Sequence, residues 1–381
     1  MRTFLLAPLL AAACAGEAPL PAAAGPDAGK PRIQVAILLD DSGSMSGLIA
    51  QAKTQLWDMI NQLAATTHRG RRPIIEVALY HYGDLPFAAQ PLLPLSTDLD
   101  AVSQSLESIN GGGGLEACGT VIRNAVAQLH WSDDRNDLKL ILIAGNEPFT
   151  QGSVAYRDAC AEAIAKGIQV NTIHCGDEAT GRAGEWHLGA ALADGQFLNI
   201  DHNRIEVAIA APQDAQIGEL NAQLNGTYLG YGAHGKAYAA RQNAQDAAAA
   251  GNQSFAARAV SKSSLAYGNA HWDLVDACSG TSAAAVLGAC DATTLPAVLQ
   301  GKTLDEQTAI ISAYSASRAA IQARIRALGA DRAAFIAKAE QEQAAASGKA
   351  TFGQAVRQAI AAQAAKKGYG AAPAATAPAK P

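Results

Sequence analysis

Residues able to do chemistry concentrate where an apolar run stops. Ile33–Leu39 (IQVAILL) is followed directly by Asp40-Asp41-Ser42-Gly43-Ser44-Met45. A carboxylate and two hydroxyls on alternate residues of a tight turn present three oxygens to one point, and the small Gly43 lets the turn form. Oxygen donors suit a hard cation such as Mg²⁺, which takes about six of them in an octahedral array. Ser44 also falls near the first turn of the next helix, where its hydroxyl can double as a cap. Alternation points Asp41 away from Asp40, toward supporting hydrogen bonds or solvent.

Three other chemistries fit less well. A phosphoacceptor receiver domain also ends its first strand in Asp-Asp-Ser, but it needs an Asp ending a later strand. Here the run Leu138–Ala144 ends in Gly145-Asn146. A dehalogenase-type phosphatase needs Asp-x-Asp, which Ser42 breaks. A serine hydrolase needs a Gly-x-Ser-x-Gly elbow and a placed His, and neither surrounds Ser42 or Ser44.

The elements that must position the turn follow from periodicity. Strand-like runs occur at Ile33–Leu39, Ile75–Tyr82, Leu138–Ala144, Ile168–His174 and, shorter, Phe197–Ile200. Between the first two, Leu48, Ala52, Leu56, Ile60 and Leu63 share one helical face. Near-continuous apolar strands alternating with helices imply a doubly wound, mostly parallel α/β sheet covered on both sides. Its ligand site is expected beyond the carboxyl ends of the strands. After residue 201 the alternation stops. Thr303-x-x-Glu306 reads as a capping box opening a helix that Gly329 ends, and Thr351-x-x-Gln354 opens another that ends near Gly368. The expected division is a leader at 1–15, a flexible linker at 16–30, the α/β domain at 31–201, a helical region at 202–368 and a disordered tail at 369–381.

Asp40-x-Ser42-x-Ser44 between strand and helix resembles the metal-ion-dependent adhesion site of von Willebrand factor A domains. The resemblance extends through LLDxSGSM, the Gly-rich stretch Asn110–Glu116, ILIAGNEPFTQG and VNTIHCG, as in bacterial exported proteins that contain such a domain. Past the domain it continues through Leu224–Gly232 and Tyr267–Ala277. The family pattern takes further ligands from two more loops. The first counterpart offers Glu116, or Thr120 one turn further on, in place of a Thr. The second puts Asn146 where an Asp would stand, with Glu147 beside it, which removes a formal charge and weakens the expected affinity. The resemblance therefore implies a weakly held Mg²⁺, Mn²⁺ or Ca²⁺ at Asp40, Ser42, Ser44, Glu116, Asn146 and Glu147.

Composition bounds the rest. Over 381 residues, Lys+Arg 29 against Asp+Glu 34 give a net charge of −5, which offers no global attraction for nucleic acid or an anionic membrane. No apolar run reaches the roughly 20 residues that span a bilayer. From Arg318 onward ten Lys and Arg face three acids, spaced as solvated helix faces would be. The start MRTFLLAPLLAAACAGEAP reads as a bacterial secretory signal, with lipidation of Cys14 competing with cleavage after Ala15. Export leaves five thiols, of which Cys278 and Cys290 are the expected disulfide. His174 and Cys175 read as a packed strand end. Asp133, Asp134 and Asp137 read as a solvated turn, Trp272, Asp273 and Asp276 as packing, and His234 as an exposed loop residue.

The reading that results is a non-enzymatic cell-envelope module of the periplasm or cell surface. It grips an exposed acidic residue of a partner protein through the cation, binds no nucleic acid and touches membrane only through a lipid at Cys14. The alternatives are an envelope hydrolase using the same metal, with Glu116 or Glu147 as base, and a structural domain whose metal site is vacant.

Overall fold

The computed structural model describes residues 29–200, 209–347 and 352–371. The expected leader, Cys14 and nearly all of the linker lie outside these. The strands are β1 (Arg32–Leu39), β2 (Thr66–His68), β3 (Ile74–His81), β4 (Leu93–Ser96), β5 (Leu138–Gly145), β6 (Gln169–Cys175), β7 (Phe197–Ile200) and β8 (Tyr369–Ala371). Six of them form one sheet in the order β4-β3-β1-β5-β6-β7. All its pairings are parallel except β3 with the edge strand β4. β4 carries Pro94, which lacks the N–H that a further strand would need. The sheet is thus mixed and mostly parallel, and a region of helices follows it.

β1 is central because its sequence is apolar on both faces: every residue from Ile33 to Leu39 is buried, Gln34 included. On one side Ile33, Val35, Ile37 and Leu39 meet the helix Ser46–Ala64, whose Leu48, Ala52, Leu56, Ile60 and Leu63 are all buried as the periodicity predicts. On the other, Ala36 and Leu38 meet the helices Cys118–Gln128 and Tyr156–Ala165. Strand order reverses around β1, so the loops after β1, β3 and β5 converge at one pole.

From Pro31 onward the described residues form one compact unit. The helical region shares the core of the sheet: Ala257, Tyr267, Val356, Ile360, Ala364 and Tyr369 belong to the same apolar cluster as β1. The closing helix Phe352–Lys366 is fixed by a buried amide pair. Asn171 Nδ2 donates to Gln363 Oε1 at 2.9 Å and Gln363 Nε2 to Asn171 Oδ1 at 2.6 Å. A second anchor is Arg258, 1% exposed. Its guanidinium donates to Asp100 Oδ1 at 2.8 Å, to the carboxylate of Asp246, and to Gln242 O at 3.0 Å, and it lies 4.8 Å from the Trp57 ring centroid.

Several expectations need correction. The Thr303 capping box forms, with Thr303 N donating to Glu306 Oε2 at 2.8 Å. Its helix, however, runs through Gly329 to Ser347. A Cβ at Gly329 would stand 2.8 Å from Val260 Cγ2, so this glycine permits close helix packing and does not end the helix. The disordered tail does not begin at Tyr369. β8 pairs antiparallel with β2, His68 and Tyr369 stack at 4.8 Å, and Tyr369 Oη donates to Arg32 O at 2.8 Å; residues 372–381 lie outside the described part. The late basic residues are not simply solvated. Buried Arg318 binds Asp273 and Asp276, Arg332 binds Asp214, and Arg357 binds Glu340. Trp272 and Asp273 are packed as expected. Asp137 is buried, receiving Arg32 N and Ser132 Oγ, whereas Asp133 and Asp134 are exposed. The expected Cys278–Cys290 disulfide is absent and both thiols are free. Cys290 follows the short helix Ala283–Gly288 and turns back on it, its Sγ 3.1 Å from Val286 O.

Removing one partner of a buried, hydrogen-bonded ion pair strands the other charge, at a cost of about 3–5 kcal/mol. Arg258→Met is therefore expected to lose that much in urea unfolding. A loss below about 0.5 kcal/mol, the level of a surface substitution, would show that this anchor contributes nothing.

Candidate metal centre

The site is assembled from three strand ends and one glycine loop. Register carries β1 forward so that Asp40 N donates to Ala144 O at 2.9 Å and Tyr82 N to Leu39 O at 3.0 Å. Asp40 is thereby placed between the end of β3 and the end of β5, fully buried. Its Oδ1 accepts from Ser42 N at 2.8 Å, and its Oδ2 has no partner. Ser42 Oγ and Ser44 Oγ lie 3.2 Å apart. Ser44 caps nothing: it sits inside a short 3₁₀ turn, and the helix behind it opens without a side-chain cap.

Space at this point is tight enough to dictate residue type. A Cβ on Gly145 would stand 2.5 Å from Tyr82 Oη and 3.1 Å from Asp40 Oδ2, so only glycine lets β5 end beside Asp40. Tyr82, which sequence reasoning passed over, walls the site. Its Oη donates to Ala144 O at 2.7 Å, and burial pushes its phenol well above the usual range. The signal for it was the β1–β3 register, which a sequence without a structure does not fix.

Asp41 holds the loops together. Its Oδ1 accepts from Gly83 N at 2.7 Å, its Oδ2 from His81 Nδ1 at 2.6 Å, and its backbone carbonyl from Gly112 N at 2.7 Å. Gly113, at φ 120°, then passes so close that a Cβ would lie 2.1 Å from Gly83 O. This pins the stretch 110–114 against the loop after β3 and delivers Glu116 to the site.

Glu116 is 4% exposed, its amide donates to Gln151 Oε1 at 2.6 Å, and its Oε2 has no partner. The Asp40 carboxylate and Ser42 lie beside the carboxyl and act on its charge. Burial pushes it up to about 8, helped by the Asp40 carboxylate and the charge of Glu147, while Ser42 opposes the shift. Asn146 follows Gly145, and its buried Oδ1 also lacks a partner. Glu147 is half-buried, and its backbone carbonyl accepts from Trp186 Nε1 at 2.8 Å. It acts on Glu116 through charge. Thr120 Oγ1 is buried without a partner too, but it faces Gly152, and no contact joins it to Asp40. His174 and Cys175 are occupied elsewhere: His174 Nδ1 pairs with Asn199 Oδ1 at 2.8 Å, and burial pushes the Cys175 thiol up.

Three buried acceptor oxygens, on Asp40, Glu116 and Asn146, thus lack donors around one pole of the sheet, with two hydroxyls beside them. Unsatisfied buried acceptors are costly, and two acceptor-only carboxylates in contact more so. Either a shared proton or a cation resolves the arrangement. Among the described residues no three His, Cys, Asp or Glu cluster as metal ligands do. The donor set is instead carboxylate, hydroxyl and amide oxygen, which fits a hard cation and not a thiolate-bound one.

Comparison with known proteins gives one family match and several distant structural likenesses. Residues 34–184 match the model of the von Willebrand factor type A domain. The chain is similar to BatB from Bacteroides thetaiotaomicron at 18% identity, covering 44% of this chain and 90% of that one, with a TM-score of 0.34. It is also similar to proximal thread matrix protein 1 of the mussel byssus in a form described as having a zinc-occupied MIDAS motif (11% identity, 46% and 43% coverage, TM-score 0.35). A third is the pilus adhesin SpaC from Lactobacillus rhamnosus GG (14%, 45% and 28%, TM-score 0.34). No curated protein sequence matches the chain.

The raised Glu116 fixes a pH dependence. Its folded carboxyl keeps a proton that the unfolded one releases near 4.5, so its contribution to stability is full below 4.5 and is lost as pH rises toward about 8. In EDTA, Glu116→Gln is expected to melt higher than wild type at pH 8 and to converge with it at pH 5. Parallel melting curves at both pH values would contradict the assignment. The strand order and the loops meeting at Asp40 are thus those of a chain whose residues 34–184 match the von Willebrand factor type A domain.

Proposed function

We propose that this protein binds a partner protein through a divalent cation held at the end of β1. Type A domains are known for metal-dependent protein–protein interaction. The observation that carries the reading here is the set of buried, donorless oxygens on Asp40, Glu116 and Asn146 beside the paired hydroxyls of Ser42 and Ser44.

Asp40, Ser42, Ser44, Glu116 and Asn146 are the residues that would hold Mg²⁺, Mn²⁺ or Ca²⁺, and Glu147 adds negative charge at the rim. A bound cation supplies a positive centre able to accept a carboxylate oxygen from a partner. The chain's own part is to preorganise. Asp41 fixes the loop geometry, Gly145 and Tyr82 shut one side, and the exposed Ser44 keeps the other side open to approach. Asn146 contributes an oxygen without a charge, which leaves more positive charge for an incoming acid than an aspartate there would. The matching partner is therefore a protein with an exposed Glu or Asp. An exported protein of the cell envelope, lipid-attached at Cys14 or released by cleavage after Ala15, is the setting we infer from the leader-like start of the sequence. Among the described residues no helix is long and apolar enough to cross a membrane.

Calorimetric titration of the full chain with Mn²⁺ is expected to give saturable binding at or below millimolar concentration. Asp40→Ala is expected to abolish that binding and to leave the chain folded. Capture of an envelope protein should be released by EDTA and restored by Mn²⁺. Full-strength Mn²⁺ binding by Asp40→Ala, or none by the wild type, would sink the reading.

A further inference from the structure

At the opposite pole of the sheet, where β5 begins, lies a cavity of about 560 Å³. Arg135, Lys139, Lys166 and Lys367 put four cations on its lining, against the single carboxylate of Asp133. The three lysines come from three separate segments: β5, the turn after the helix Tyr156–Ala165, and the residue after the closing helix.

What each ammonium bonds to is informative. Lys139 Nζ donates to Ser132 O at 2.7 Å, Lys166 Nζ to Val126 O at 2.9 Å, and Lys367 Nζ to Arg135 O at 2.6 Å. A carbonyl takes one of an ammonium's three hydrogens and aims the group, but it leaves the charge uncompensated. The acids close by are engaged elsewhere: Asp137 accepts from Arg32 N and Ser132 Oγ, and Asp134 from Asn136. Lys139 is 3% exposed, a depth at which lysines are ordinarily paired. Burial and the repulsion of Lys367 hold its ammonium below the usual range, although Asp137, Asp133 and Asp134 favour its charge. On its open side the neighbour is Gly167, at φ 70°, where even a Cβ would stay 3.8 Å from the nitrogen.

The rest of the lining mixes the polar His130 and Ser132 with an apolar wall. Trp131 Nε1 donates to Ala125 O at 2.9 Å, which fixes the indole, and Leu129 and Ile164 flank it. The volume is that of a small-molecule site, roughly 300–1,000 Å³.

We propose that this cavity binds a phosphate group, with Lys139, Lys166 and Lys367 holding its oxygens and Trp131 bounding whatever the phosphate is attached to. Three ammoniums on one lining exceed what the single charge of a carboxylate balances, whereas a phosphate carries about −1.5 to −2. Lysines act as point charges on phosphate without needing the planar fork of arginine. The site lies at the far end of the strands from Asp40 and stands independently of the cation reading.

Trp131 provides the readout, because it is half-buried while Trp57, Trp186 and Trp272 are 1% exposed. Titrating the full chain with inorganic phosphate at low ionic strength is expected to change tryptophan emission saturably. The change should vanish in Trp131→Phe, which still binds by calorimetry. Lys166→Gln and Lys367→Gln, both toward the surface, are each expected to weaken binding about tenfold, the loss of one charge-assisted hydrogen bond. Lys139→Met should weaken it further, read alongside its melting curve because the residue is buried. Vesicles containing phosphatidylglycerol separate the two sources of phosphate. Saturation by inorganic phosphate without vesicle binding supports a soluble ligand, and vesicle binding that phosphate displaces supports a lipid headgroup. No saturation with either probe, or unchanged affinity in both surface variants, would overturn the proposal.

Discussion

Everything at the functional pole depends on one unresolved contact. The buried Asp40 carboxylate has one oxygen occupied by the amide of Ser42 and the other left facing the carboxyl of Glu116. Neither group can donate when ionised, and neither reaches water freely. The fold spends three loops to keep them there. Gly145 and Tyr82 leave no room for Asp40 to turn away, and Asp41 binds the loop after β3 so that the glycine stretch must bring Glu116 in. A protein that needed only stability would place an apolar pair at this position. The chain instead buries two carboxyl groups side by side, an arrangement that a shared proton or a cation would relieve.

The sheet and its first helix could be read from periodicity because they follow the two simplest rules, an apolar run for a strand buried on both faces and a four-residue rhythm for a helix buried on one. β2 and β8 escaped because they span three residues, too short for alternation to show, and β4 because Pro94 reads as a break in a run. Gly329 misled for a related reason. Glycine marks both helix ends and close helix contacts, and only Val260, 69 residues earlier in the chain, tells them apart.

At the site, the turn Asp40–Ser44 was legible because its donors are adjacent in sequence. Glu116 and Asn146 were reachable only through family likeness, and Tyr82 not at all, since what joins them is strand register. The same limit hid the ion pairs of the helical region. Arg318 and Asp273 are 45 residues apart, and Arg258 and Asp100 are 158 apart. From Arg318 onward, charge spacing along the chain made the cations look solvated, while the packing of distant elements makes Arg318 interior.

The central position of β1 has a mechanical consequence. Its amino end, Pro31, and the Asp40 turn lie at opposite poles of the same strand, and the Tyr369 hydroxyl clasps the lower end at Arg32. Tension applied between Arg32 and the Asp40 turn would run straight down this strand. It would load the hydrogen bonds to β3 and β5 together, in shear along both ladders rather than one rung at a time, which is the direction in which a sheet yields last.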